Sequence, residues 1–170
     1  MPDSDTKLRS NDLYAQDFYA WTQEQARLLR EQHWNDLDTE NLADEIASLG
    51  AELKREIRDR LEILLSYLLK WRHLPEYRGF AWKENISRQR GEIAEILVEN
   101  GSLAEKRAHL LAHSYENARR RLKYETYFFT TDFPSSCPFS ERQVFDPNFF
   151  PEELDAPSIG QFPTAHLIGE

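Results

Sequence analysis

DTENLADEIASLGAELKREIRDRLEILLSYLLKWRH, residues 38–73, carries Leu42, Ile46, Leu49, Leu53, Ile57, Leu61, Leu64 and Leu68 at intervals of three and four. That spacing keeps every one of these side chains on a single helical stripe. The reading is one helix running from about Asp38 to His73. Gly50 costs about 1 kcal/mol against alanine inside a helix. The apolar phase nevertheless passes through it without a slip, so one continuous element is expected rather than two short ones. Pro75 cannot continue the ladder and pushes Leu74 out of helical geometry, so the chain turns before Gly79.

Working outward, Tyr14, Phe18, Trp21, Gln25 and Leu28 repeat at four and three and predict a first helix over about 13–32. Asn35, Asp36 and Asp38 then supply capping acceptors and favourable charge at the start of the long helix. Downstream, Trp82, Ile86, Ile93 and Leu97 predict a helix over about 81–99. Asn100 and Gly101 suit a left-handed C-terminal cap. Ser102 and Glu105 have the spacing of a capping box that opens a fourth helix over about 103–128, with Leu103, Leu111, Tyr115, Ala118 and Leu122 on its buried stripe and Leu110 and Ser114 alongside. The expected fold is all-α, an antiparallel four-helix bundle. Beyond Thr130 lie six of the eight prolines together with Phe133, Phe139, Val144, Phe145, Phe149 and Phe150. Proline excludes helix over most of this stretch, and so much aromatic surface does not suit a free linker. An irregular strap over about 130–155 is therefore expected on the bundle, with mobile ends near 1–10 and 160–170, all within a single domain spanning 1–170.

With 21 Lys and Arg against 30 Asp and Glu, the formal net charge is -9, which disfavours a nucleic-acid coat. The six glycines never stand two apart, so neither a dinucleotide fingerprint nor a phosphate-binding P-loop can be written. Cys137 is the only cysteine, which rules out an intramolecular disulfide and a multi-cysteine zinc site. Met1 to Asn11 is polar and contains Asp3 and Asp5 where a secretory signal needs a basic start and an apolar run. No apolar run approaches the roughly 20 residues that span a bilayer. A cytoplasmic protein without membrane or cofactor is the expectation.

Several motifs stand in one order: Leu13-Tyr14, Asp17-Phe18-Tyr19-Ala20-Trp21, Gln25-Ala26, Leu28-Leu29-Arg30, Leu37-Asp38, Asn41-Leu42-Ala43-Asp44-Glu45-Ile46 and Ser48-Leu49-Gly50. Leu68-Leu69-Lys70-Trp71, Pro75, Trp82, Ile86, Gln89-Arg90, Phe133-Pro134 and Cys137-Pro138-Phe139 follow. Over nearly its whole length the chain resembles the bacterial family called domain of unknown function DUF29, common in cyanobacteria and proteobacteria. The resemblance implies an all-helical cytoplasmic protein and brings no established activity. Tyr67 stands where histidine is expected in many relatives, and Leu74 where glutamine is frequent. Histidine chemistry at position 67 is thus excluded in this chain.

Three constellations could carry chemistry. His109 and His113, four apart, share a helical face with Glu105 and Glu116, a zinc-like spacing, yet that face points away from the apolar stripe and reads as solvated surface. No Glu-x-x-His occurs, so the carboxylate-bridged di-iron motif is missing. Cys137 between Ser136 and Pro138 has no base that can be named beside it and reads as a packed thiol. The segment Lys70 to Arg90 holds six cations against two carboxylates, net +4, interleaved with Trp71, Tyr77, Phe80 and Trp82. Forked guanidinium donors beside aromatic faces suit a phosphate, a nucleic acid strand or an acidic protein surface, or else internal pairing. Arg119, Arg120, Arg121 and Lys123 favour the dipole at the end of their helix.

These features together lead to a helical protein–protein interaction module, self-association included, with Trp71, Arg72, Trp82 and Arg90 in its contact surface. A toxin-neutralising partner is its most specific form. The competing class is a ligand-binding, metal-binding or hydrolytic bundle with Glu45, Trp82 and Arg90 in its pocket.

Overall fold

The computed structural model describes residues 10–125 and 133–152. Among them every regular element is helical and no strand occurs, so the chain is all-α. It divides into two compact units, Met1–Leu53 and Lys54–Glu170.

In the first unit α1 (Ser10–Gln16) and α2 (Phe18–Arg30) replace the single helix expected over 13–32. The break is at Asp17, whose backbone leaves helical geometry (φ -148°, ψ 87°) while its carboxylate accepts from Ala20 N at 2.9 Å. A short acidic side chain that can cap its own downstream amide competes with the helix it interrupts. α2 closes on a Schellman turn: His33 N donates to Leu28 O at 2.9 Å, Gln32 N to Leu29 O at 3.3 Å, and Gln32 sits left-handed at φ 62°. A 3₁₀ turn at Trp34–Asp36 leads to α3, Thr39–His73, one continuous 35-residue helix through Gly50. Asp38 caps it, its carboxylate accepting from Asn41 N at 3.4 Å. Trp21, Leu28, Gln25 and Asp38 are buried among the described residues of this unit. Four positions expected on a buried stripe differ. Ile46 and Leu49 are 67% and 63% exposed, and Leu42 and Leu53 are only half-buried.

The second unit holds the rest of α3, a 3₁₀ turn at Pro75–Tyr77, α4 (Phe80–Glu99), α5 (Gly101–Ala104), α6 (Arg107–Glu125) and α7 (Glu141–Phe145). The join after α4 departs from the expected caps. No glycine among the described residues has a positive φ. Instead Asn100 bonds Ile96 O twice, from its backbone N at 3.0 Å as the last helical bond of α4 and from its side-chain Nδ2 at 2.9 Å. Gly101 and Ser102 then lie inside α5, so the Ser102–Glu105 box does not form. A complete capping box appears at Ser140 and Gln143 instead, and it opens α7 within the segment expected to be irregular.

One buried cluster takes Ile57, Leu61, Leu64, Leu65, Leu68, Leu69 and Trp71 from α3, Ile86, Ile93 and Leu97 from α4, Leu110, Leu111, Tyr115, Ala118 and Leu122 from α6, and Phe133, Phe139 and Val144 from the C-terminal segment. Residues 133–150 thus pack on the helices of their unit. The expected end of the fourth helix at 126–128, strap residues 130–132 and 153–155, positions 1–9 of the N-terminal end and all of 160–170 fall outside the described residues. No described helix is long and apolar enough to cross a membrane.

Candidate functional site

In the first unit, Trp21 and Gln25 are two faces of the same α2 stripe turned toward the start of α3. Trp21 Nε1 donates to Asp38 Oδ2 at 3.1 Å, and Asn41 Nδ2 donates to the same oxygen at 2.8 Å. Asp38 N in turn donates to Gln25 Oε1 at 2.9 Å. A carboxylate only 6% exposed is thus met by three donor contacts from two residues, which is what burial of a charge requires. Next to this knot, Tyr14 Oη donates to Glu45 Oε1 at 2.6 Å, and that bond holds the phenol above its ordinary pKa. Tyr14 meets Trp21 edge-on and Phe18 stacks on it, with ring centroids 4.9 and 5.6 Å away. The knot fixes α1 and α2 against one side of α3.

Past the knot, most of α3 up to Gly50 is open. Ala43, Ile46, Ala47, Leu49 and Gly50 are all exposed, and a Cβ built on Gly50 would meet no atom of the described residues within 4 Å. Exposed large hydrophobic side chains concentrate in this unit: Phe18, Tyr19, Leu29, Trp34, Ile46 and Leu49, against Tyr77, Phe80, Val98 and Tyr124 among the described residues of the larger one. A few scattered apolar groups are ordinary on a surface, whereas a concentration on one small unit marks a contact face.

The residues singled out in the second unit face its own interior. Arg90 is 5% exposed; its Nε donates to Val144 O at 2.8 Å, one Nη to Phe149 O at 2.9 Å and Gln143 O at 3.3 Å, the other to Pro147 O at 3.4 Å. Burial lowers the guanidinium to a pKa of about 10, which still leaves it charged at neutral pH. The guanidinium is therefore a clamp on the returning segment. Trp71 is buried, with the Phe150 ring 4.9 Å away and Arg78 and Lys83 over its faces at 5.3 and 5.7 Å. Arg72 lies over Phe139 at 5.9 Å, and its Nε is buried with no hydrogen-bond partner among the described residues. Trp82 is half-buried with its ring 6.4 Å from Tyr67. Tyr77, Phe80, Lys83 and Arg88 form the exposed remainder of the Lys70 to Arg90 segment. Glu45 belongs to the first unit, with Tyr14 as its donor.

His109 and His113 are exposed on α6, and no group of three or more potential ligands gathers among the described residues. A cleft of about 470 Å³ lies between α6 and residues 135–141, lined by Tyr115, Glu116, Arg119, Ser136, Cys137 and Glu141 among others. Tyr115 Oη donates to Pro134 O at 2.7 Å, and burial pushes its phenol up to about 12. Burial also raises the Cys137 thiol, which keeps it protonated at neutral pH and poorly suited to nucleophilic attack. The Arg90 clamp had no signal in the sequence, because its acceptors are main-chain carbonyls. The Asp38 knot did have one: a tryptophan and a glutamine on the same stripe need polar partners when buried.

A family model described as Domain of unknown function DUF29 matches residues 13–150. The chain belongs to this family. Neither a curated protein nor a solved structure gives a match. In this DUF29 protein the N-terminal motifs Asp17 to Trp21, Gln25, Leu37-Asp38 and Asn41 to Glu45 converge on the break between α1 and α2 and on the Asp38 knot. The later motifs Lys70-Trp71, Gln89-Arg90 and Phe133-Pro134 are built into the core and clamp of the second unit.

Proposed function

We propose that this DUF29 protein is a helical protein–protein interaction module whose contact surface is the open side of α3 between Ala43 and Gly50, with Phe18, Tyr19 and Trp34 of the same unit as further apolar contacts. The observation that carries this reading is the exposure of Ile46 and Leu49 on a helix whose stripe is half-buried at Leu53 and only 1% exposed at Ile57. Apolar anchors ringed by polar groups supply most of the energy of a protein contact. A cytoplasmic, bacterial setting with a single free thiol suits such a module, and neutralisation of a toxin is the most specific form it takes. For the second unit we propose an antiparallel helix arrangement. The ion pair of Arg60 with Glu92 and the Tyr67–Trp82 ring contact support opposite directions for α3 and α4.

The test is native mass spectrometry of the untagged chain purified from its own cells, beside Ile46→Glu/Leu49→Glu. A stoichiometric polypeptide present on the native chain and lost from the variant is expected. A complex that is unaffected by the variant, or a bound small molecule on a monomer, contradicts it.

A further inference from the structure

We infer that residues 134–150 form a latch that leaves the helices as one unit while α3, α4 and α6 stay folded, and that its opening uncovers Trp71, Arg72 and Arg90. Three features of the second unit carry it.

The first is the attachment of the segment. Among the described residues no main-chain hydrogen bond joins 134–150 to a helix outside it. Its main-chain bonds, Val144 N to Ser140 O, Asp146 N to Arg142 O and Phe149 N to Asp146 O, all close within the segment. The hydrogen bonds that cross come from helix side chains. Arg90 reaches the carbonyls of Gln143, Val144, Pro147 and Phe149, while Tyr115 and Arg119 reach Pro134 O. Arg107 adds an ion pair with Glu141 at 3.1 Å. Opening therefore breaks no helix ladder, and a single guanidinium ties residues 143–149 into one release step.

The second feature is that the segment is bonded locally. Ser140 and Gln143 complete the capping box that starts α7, and Asn148 N donates to Asp146 Oδ1 at 2.9 Å. Stretches whose hydrogen bonds are satisfied from within, and which touch the rest through side chains, are the units that open below global unfolding.

The third is what lies beneath. Trp71 is 8% exposed under the Phe150 ring, Arg72 lies over Phe139, and Arg90 and Lys83 lie over Phe150 at 5.8 and 6.0 Å. Arg72, Lys83 and Arg90 have no ion pair among the described residues, in a chain whose net charge is -9. The closed latch meets these cations with ring faces and carbonyl oxygens alone. Opened, they stand beside a bare indole, a combination that suits a carboxylate.

Cys137, the chain's one cysteine, is half-buried within the segment and packs on the core cluster, so its alkylation by iodoacetamide reports opening. The full chain is labelled in native buffer beside two variants, with circular dichroism confirming that each folds. Arg90→Met unpins the segment, and Ile57→Val weakens the helix core about four turns before Trp71 on α3. Arg90→Met is expected to speed labelling roughly tenfold or more through the lost charged hydrogen bonds. Ile57→Val is expected to leave it within about twofold, whereas exposure through global unfolding would speed it about fivefold. Arg90→Lys, a milder loss of the fork, carries the same comparison if Arg90→Met does not fold. Labelling that follows overall stability in both variants means that segment and helices unfold together, and overturns the inference. Labelling indifferent to the loss of Arg90 overturns it as well, because the thiol is then exposed by motion around Cys137 alone.

Discussion

The two halves of α3 share one apolar period and have opposite fates. From Ile57 onward the stripe enters a cluster to which α4, α6 and the segment 133–150 all contribute, and Leu61, Leu64, Leu65, Leu68 and Leu69 are fully buried. Before Leu53, α1 and α2 cover one side through Trp21, Asp38, Tyr14 and Glu45, while Ile46 and Leu49 stay open. Periodicity therefore locates an apolar stripe along a helix. Whether the stripe is covered depends on how many other stripes the chain can bring to it, a question of tertiary supply that spacing cannot answer.

The largest expected effect sets the two halves side by side. Leu68→Ala should lower stability in urea by roughly 2–5 kcal/mol through lost burial and a cavity. Ile46→Ala, measured where the chain is dilute, should stay within about 0.5 kcal/mol of the native value. Similar costs at the two positions would break the contrast. Next comes the clamp. Arg90→Met strips donors from the carbonyls of Gln143, Val144 and Phe149 and should cost about 3 kcal/mol. It should also speed proteolysis within 133–152, with Arg90→Lys recovering only part because one ammonium cannot replace a fork.

In the first unit, Asp38→Ala removes both the α3 cap and the acceptor of Trp21, and a thermal melt followed by tryptophan fluorescence should show a loss of about 1–2 kcal/mol. Gly50→Ala should do the opposite and add about 1 kcal/mol, since the new methyl group meets no atom of the described residues. The smallest effect is at alkaline pH. The Tyr115 phenol titrates near 10 when unfolded and at about 12 in the fold, so the folded state holds its proton longer. Its stabilising contribution is complete below pH 10 and lost as the pH rises through 12. Tyr115→Phe should flatten that slope in denaturation curves across the same range.

Much of the fold was legible from spacing, because a buried helical face leaves a period of three and four in the residues themselves. Thr39–His73 and Phe80–Glu99 lie within a residue of the spans read from the apolar pattern. The phenylalanines past 130 pointed to a segment that packs, as Phe133 and Phe139 do. Local competition was harder to read. Asp17 breaks a helix whose apolar period runs on unchanged, and Gly101, expected in a left-handed turn, instead opens α5 without a positive φ. The site was less legible still. Arg72 and Arg90 share their composition with an exposed basic patch, and only the aromatic ring and carbonyls brought back by the C-terminal segment distinguish the two situations.

Hydrogen exchange of the full chain in dilute solution tests the division of α3 most directly. The account predicts that amides of residues 57–69 exchange slowly, while those of 42–53 exchange measurably faster. Equal protection of the two halves would contradict it.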